Sequence, residues 1–303
     1  DQARERLHGV IEPDRYYTLY GDATEQRFEA ASAEKLFLKL ERRQFYAMFC
    51  DFDTGLTVTE LSRYSRSMTG IKGEFGGDRV GVTAFAADAE SGFVKDELRG
   101  DGTAGLYRLS SGGIVINSDK LRIEVRDRFR SEIVVESRPL ARFLDYSIDY
   151  DRGTLFFKQP VPSRDEQFNP VWIVAEYEVL DGGGGRTTAG GRVAARVAGD
   201  RVEVGASYLQ EGSADGPTSL AGSDLRVRLG AATELRAELA HSTSDDPSRP
   251  ESATAYVAEV KHVTERVDAR VYLREQESGF GLGQQLTTED GTRKAGVDAR
   301  VKF

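Results

Sequence analysis

A chain of 303 residues carrying 50 acidic against 41 basic residues, with a net charge of −9 and a sequence pI near 5.1, is too acidic to have nucleic acid as its main partner. One cysteine excludes an internal disulfide, and three scattered histidines (His8, His241, His262) give no zinc-type ligand spacing, so neither a metal nor another cofactor is expected. No stretch approaches the roughly 18 consecutive apolar residues of a membrane helix, whereas a barrel strand crosses a bilayer with only about 9 to 11 alternating residues.

Residues 1–30 read as a charged leading segment, with one possible helical turn in DQARERLHG and turn residues around Gly21 and Asp22. No charged start followed by an apolar run marks a signal peptide, so an exported chain is expected to be mature or excised. Residues 31–90 give the first barrel-type strands. Leu36, Leu38 and Leu40 share one face by period two, Arg42 and Arg43 mark a turn, and QFYAMFCDF returns with Cys50 expected as a small buried hydrophobe. A second hairpin is predicted from LSRYSRSMTGIKGEF through Gly76, Gly77 and Asp78 into VGVTAFAADAE.

Between 91 and 180 the strands become shorter and apolar on both faces: LRIEV at 121–125, EIVV at 132–135, TLFF at 154–157 and VWIVAEYEV at 171–179. Such strands belong in a compact core, and the prolines at 139, 160, 162 and 170 restrict the chain to turns and strand edges. A small inserted β-sandwich-like domain is expected there. Its hairpin turn is assigned to Asp145, Asp149, Asp151 and Gly153; the three carboxylates lack the acid–glycine alternation of a calcium loop, which favours a structural turn. DGGGG, with glycines at 182–185, reads as a glycine hinge over 181–185.

From 186 to 303 the alternation is regular. Val193, Ala195 and Val197 interleave with Arg192 and Arg196, and the pattern recurs with Val202, Val204, Ala206 and Tyr208, with Leu225, Val227 and Leu229, with Leu235, Ala237 and Leu239, with Val267, Ala269, Val271 and Leu273, and with Val297, Ala299 and Val301. About seven strands of an up-and-down meander follow from it. Short turns (Gly199 and Asp200, Ala232 and Thr233, Thr264 and Glu265) alternate with long polar loops at 211–223, 241–252 and 276–292, the asymmetry of an outer-membrane barrel. The fold expected is all-β: an antiparallel up-and-down outer-membrane-type barrel of about 10–12 strands, with the second part of its wall at 186–303.

A soluble antiparallel sheet also alternates, with its apolar side buried. The apolar rows here are mostly Val, Ala and Leu rather than the bulky residues that fill a sandwich, and the opposite face pairs Arg with Glu. The lumen-facing polar set predicted is Arg192, Arg196, Glu203, Arg226, Arg228, Glu234, Arg236, Glu238 and Arg270. Phe303 gives the aromatic chain end common in bacterial outer-membrane barrels, although Tyr208, Tyr256, Tyr272 and Phe280 are too few for two aromatic girdles.

The stretch GLYRLSSGGIVINSDKLRIEVRDR, followed by SEIVVESRPLARFLDYSIDYDRGTLFFKQPVPSRDEQFNPVWIVAEYEV, resembles a module of SprA-type translocon proteins and related large outer-membrane barrels. YGDATEQRFEA and FCDFDTGLTVTELSRYSRSMTGIKGE look like the strands that flank this module in those relatives. The resemblance implies a surface or export barrel in the bacterial outer membrane, either a small relative or a segment of a larger one, with the bilayer and other envelope or secreted proteins as partners. No nucleophile elbow, phosphate loop, dinucleotide fingerprint or metalloprotease motif is present, so a non-enzymatic pore, translocation or anchoring role is expected. A soluble or surface-attached interaction module is the alternative.

Overall fold

The computed structural model describes residues 17–18, 25–26, 38–89, 91–180, 186–212, 216–247 and 249–302. The glycine hinge 181–185, Phe303 and all but four residues of the leading segment lie outside the described residues. Among the described residues regular structure is antiparallel β apart from one 3-10 turn, Thr287–Glu289.

In chain order, β1 (Tyr17–Thr18) pairs with β2 (Glu25–Gln26). β3 (Leu38–Arg42), β4 (Phe45–Asp53), β5 (Ser67–Gly76) and β6 (Val80–Ala89) form a meander. β7 (Ser91–Arg99), β8 (Tyr107–Arg108), β9 (Lys120–Arg126), β10 (Val134–Pro139), β11 (Tyr146–Asp149), β12 (Thr154–Phe157) and β13 (Val171–Leu180) make two small sheets. The meander then resumes with β14 (Arg186–Val197), β15 (Val202–Glu211), β16 (Thr218–Arg228), β17 (Thr233–Ser244), β18 (Ser252–Val263), β19 (Val267–Gln276) and β20 (Thr292–Val301).

β6 hydrogen-bonds directly to β14, joining the two halves into one eleven-stranded sheet that runs from β3 to β20. No sheet closes on itself among the described residues: β3 and β20 each have one unpaired edge, and ten antiparallel steps make them run in the same direction. The connections at one end are short, at 43–44, 77–79, 198–201, 229–232 and 264–266. Those at the other end are long: 54–66, the inserted sheets, 212–217, 245–251 and 277–291.

The sheet is strongly curled. β5 and β19 stand seven strand steps apart, roughly 34 Å in a flat sheet at about 4.8 Å per step. Yet Gln284 Oε1, from the loop after β19, accepts the Ser65 N–H beside β5 at 2.7 Å, and Phe52, Met68 and Phe85 of β4 to β6 share one buried cluster with Ala240, Ala255 and Val257 of β17 and β18. The wall curls so that these distant strands face a common interior.

The concave side at the long-loop end is filled by a plug. Residues 54–66 extend the β4–β5 hairpin, with Thr54 N–H to Arg66 O at 2.9 Å and a Leu56–Tyr64 bridge, and fold onto the sheet. Leu56, Leu61 and Tyr64, with Phe280 and Leu282 from the 277–291 loop, bury against Phe52, Met68, Phe85, Leu209, Leu220, Ala255 and Val257. Burial of each large side chain contributes about 1.5–3 kcal/mol. Gly222 leaves the space that Ser62 enters, since a Cβ there would collide with the Ser62 hydroxyl.

The inserted segment has its own core between a four-stranded sheet (β10-β9-β13-β7) and a three-stranded one (β11-β12-β8). Leu121, Val125, Ile173 and Tyr177 from the first meet Tyr107, Tyr146, Leu155 and Phe157 from the second. Cys50 is fully buried, as expected of a small apolar filler.

Three local expectations are corrected. LSRYSR does not start a strand, because the Glu60 and Leu61 N–H groups are taken by the Glu238 carboxylate instead of a ladder. The loops 211–223, 241–252 and 276–292 shorten to 212–217, 245–251 and 277–291: Thr218, Ser242 and Ser244 are strand residues kept small and polar beneath the plug, which hides the apolar period. EIVV shifts to β10 because Glu132 is drawn into an ion network and Ile133 closes a turn on Arg130.

Candidate functional site

The polar residues of the meander share the concave face, in rows set by register. One row crosses Arg196, Glu203, Arg226, Arg236, Glu259, Tyr272 and Gly296 on seven neighbouring strands. A row nearer the plug crosses Asp224, Glu238, Val257, Arg274 and Lys294, and one nearer the short turns crosses Arg228, Glu234, Lys261, Arg270 and Asp298. Period two puts every second side chain on one side, so each polar set is the complement of an aliphatic set on the other.

All nine predicted polar residues lie on this face, and they divide into three groups. Arg192 forms a bidentate pair with Asp224, its guanidinium lying where a Cβ of Gly205 would stand. Arg236, Glu238 and Arg270 join a network that pins the plug and the insert. Glu238 accepts Glu60 N–H and Leu61 N–H at 2.9 Å each and Arg236 Nη2 at 2.5 Å, while Arg270 faces Glu259 at 3.6 Å. Arg196, Glu203, Arg226, Arg228 and Glu234 stand at the short-turn mouth, where Arg196 Nε meets Glu203 at 3.1 Å.

The rest of the network escaped sequence reasoning. Arg130 and Glu132, from the turn after β9, reach the wall: Arg130 Nη1 meets Asp298 at 2.6 Å and Glu259 stands 3.6 Å from Nη2. The Arg130 guanidinium lies 3.9 Å over the Tyr272 ring, which can lie flat because Gly296 beside it has no side chain. Arg274 meets Glu60, Glu132 at 3.8 Å and Glu289 at 3.2 Å, and Lys294 meets Glu289 at 2.7 Å. Extending the arginine period from Arg270 by four residues would have found Arg274. Arg130 and Glu132 pair with each other at 2.7 Å, but nothing local announces their partners on the wall, which are distant in sequence. Tyr272 and Phe280 are not girdle residues: the first faces the concave side and the second is buried in the plug.

A second charged ladder covers the outer face of the four-stranded insert sheet. Lys95 Nζ donates to the carbonyls of Gln284 and Gln285 at 3.1 Å each, and Glu97 accepts Arg126 at 2.8 Å and the Thr287 hydroxyl at 2.8 Å. Burial alone would push Glu97 up, but the Arg126 hydrogen bond and the Lys95 and Arg126 charges outweigh it and hold the carboxyl at about 2. Glu124 and Glu132 are lowered likewise, against burial, by Arg122 and Arg130 respectively. A folded pKa below the unfolded value gives stability that is complete above about 4.5 and is lost as pH falls toward 2. The thermal midpoint of the insert is therefore expected to be flat from pH 7 to 5 and to drop between pH 4.5 and 2, and Glu97→Gln should flatten that drop in a melting series.

The aspartates of the insert turn are structural. Asp145 accepts the Ala141 N–H at 2.7 Å, Asp149 accepts the Arg152 N–H at 3.1 Å, the Asp151 carbonyl accepts the Gly113 N–H at 3.2 Å, and Gly153 (φ 62°) closes the β11–β12 hairpin. Among the described residues no group of three or more His, Cys, Asp or Glu converges to hold a metal. The tyrosines of DYSIDY act as pins: Tyr146 and Tyr150 donate to buried Asp119 at 2.5 and 2.9 Å, and Arg142 pairs with it at 2.8 Å. Burial and the Asp119 bond push the Tyr150 phenol up to about 12.

No family model matches this chain, and no curated protein matches it.

Proposed function

We propose that this chain is a non-enzymatic wall of a bacterial outer-membrane β-barrel that carries its own plug and serves a pore, translocation or surface-anchoring role. The observation that carries the reading is the convex face. Val204, Leu239, Val271 and Val297 are 49, 55, 52 and 70% exposed, and Leu38, Leu40, Ile71, Val80, Val82, Val193 and Val197 continue the same surface across the sheet. So large a contiguous apolar area facing outward is costly in water and suits hydrocarbon. The charged concave face then lines a lumen, the short turns face one compartment, and the plug and insert occupy the long-loop mouth. The resemblance of the inserted module to SprA-type barrels points the same way.

Arginine scanning tests it. In a lipid-facing wall, Val204→Arg and Leu239→Arg should each cost about 2–4 kcal/mol near the midplane, whereas exposed positions of a solvated sheet tolerate such changes within about 0.5 kcal/mol. The measurement is urea unfolding in vesicles, alongside heat-modifiable gel migration. Wild-type stability in both variants, with monodisperse behaviour in plain buffer, would sink the proposal. The unpaired edges of β3 and β20 favour the second reading, a soluble or surface-attached interaction module, and that same outcome would establish it.

A further inference from the structure

We propose that the short-turn mouth of the concave face is a binding site for a small multivalent oxyanion of the phosphate class. A cavity of about 270 Å³ opens there, lined by Arg196, Asp200, Arg201, Glu203, Arg226 and Arg228. Four guanidinium groups face Asp200 and Glu203 across the cavity and have Glu234 beside Arg226 and Arg228, four cations to three carboxylates in a chain whose net charge is −9. The excess of positive charge is local to this mouth.

The arginines retain donor capacity. Arg226 and Arg228 share Glu234 at 3.6 and 3.9 Å, ion-pair distances too long for hydrogen bonds, and the buried Arg226 Nε has no hydrogen-bond partner. Arg196 shares Glu203 with Arg192, which stands 3.9 Å away. Arg201, whose side chain has no ion-pair partner among the described residues, sits on the rim. Its carbonyl accepts the Arg228 N–H at 2.8 Å, so the 198–201 turn is fastened to β16. Each guanidinium offers five N–H donors in a planar fork that matches phosphate oxygens two at a time. The volume lies just below the usual range of organic-ligand pockets, roughly 300–1,000 Å³, which selects a small ligand. Lys261 adds a cation further along the row, where Arg270 is already faced by Glu259 at 3.6 Å and Asp298 is paired with Arg130. The site requires only the concave face, so it does not depend on the membrane reading.

Titration calorimetry of the full chain in detergent, with inorganic phosphate against a chloride background of constant ionic strength, tests the site. Saturable binding is expected, weakened tenfold or more by Arg201→Gln with Arg226→Gln. It should be tightened several-fold by Glu203→Gln, which removes competing charge, and unchanged by Arg152→Gln on the remote insert turn. Arg201→Gln alone, at an exposed position, should weaken binding about threefold and guards against misfolding of the double variant. A parallel titration with dihexanoyl phosphatidic acid separates the sources. Tighter binding of that lipid assigns the site to a headgroup, and tighter binding of the free ion assigns it to a solute. Absence of saturable binding of both, or equal binding by the double variant, would overturn the site while leaving the arginine scan of the convex face untouched.

Discussion

Arg126→Ala is expected to destabilise the inserted sheets by about 3–5 kcal/mol, the usual consequence of removing one partner from a buried ion group. The Arg126 side chain is fully buried, donates to Glu97 at 2.8 Å and to Glu124 at 2.8 and 3.0 Å, and lies 5.0 Å from the Trp172 ring. Truncation leaves two carboxylates in a low-dielectric environment without their common counterion. Trp172 is the single tryptophan of the chain, so its fluorescence during urea unfolding reports on this segment directly. A double variant, Arg126→Met with Glu124→Gln, should recover most of the loss, because Glu97 keeps Lys95 at 2.8 Å and Arg122 keeps Glu176 at 2.8 Å, so no buried charge is left without a counterion. A loss under about 1 kcal/mol for the single variant would mean that the ladder is solvated, and would contradict its burial.

Tyr64→Ala is expected to release the plug. The Tyr64 ring is fully buried, lies parallel to Phe85 at 5.8 Å between centroids, and its hydroxyl donates to Glu211 at 3.2 Å. Aromatic-to-alanine changes in a core cost about 3–5 kcal/mol. Here the cost falls on a hairpin held otherwise by Leu61, by Arg66 against Glu211 and by the two amides on Glu238. Amide exchange of Glu60 and Leu61 should accelerate by more than a hundredfold, with new protease cleavage within 57–63. In a tube sealed from this wall, the same variant should raise conductance in planar bilayers relative to the unsubstituted chain. Unchanged exchange at both amides would show that Glu238, not the ring, secures the hairpin.

Strand alternation was legible because it is local. The rows of Val193 and Val197, Val204, Leu239 and Val271 could be assigned to one side from period two alone, as could the arginines and glutamates opposite them. The glycine-bearing turns at 199 and 76–77 were legible for the same reason. The plug was not: Leu56, Leu61 and Tyr64 follow no strand period, and the residues that receive them, from Leu209 to Val257, lie far along the chain. Its signature is the small or hydroxyl-bearing concave positions Gly222, Ala240, Ser242 and Ala255, which break the polar alternation where something packs on the sheet. Arg130 and Glu132 were invisible because an ion network assembled from the plug, the insert and the strands β17 to β20 leaves no spacing to read.

The shared heading of β3 and β20 restricts any tube built from this wall. A cylinder whose seam is antiparallel needs an even number of staves, and this one has eleven. Sealing the tube therefore takes one further stave, from elsewhere in this polypeptide or from another molecule, or else a parallel seam. Among the described residues both margins keep their row of free amide and carbonyl groups until one of these is in place, which makes the seam the natural point of assembly.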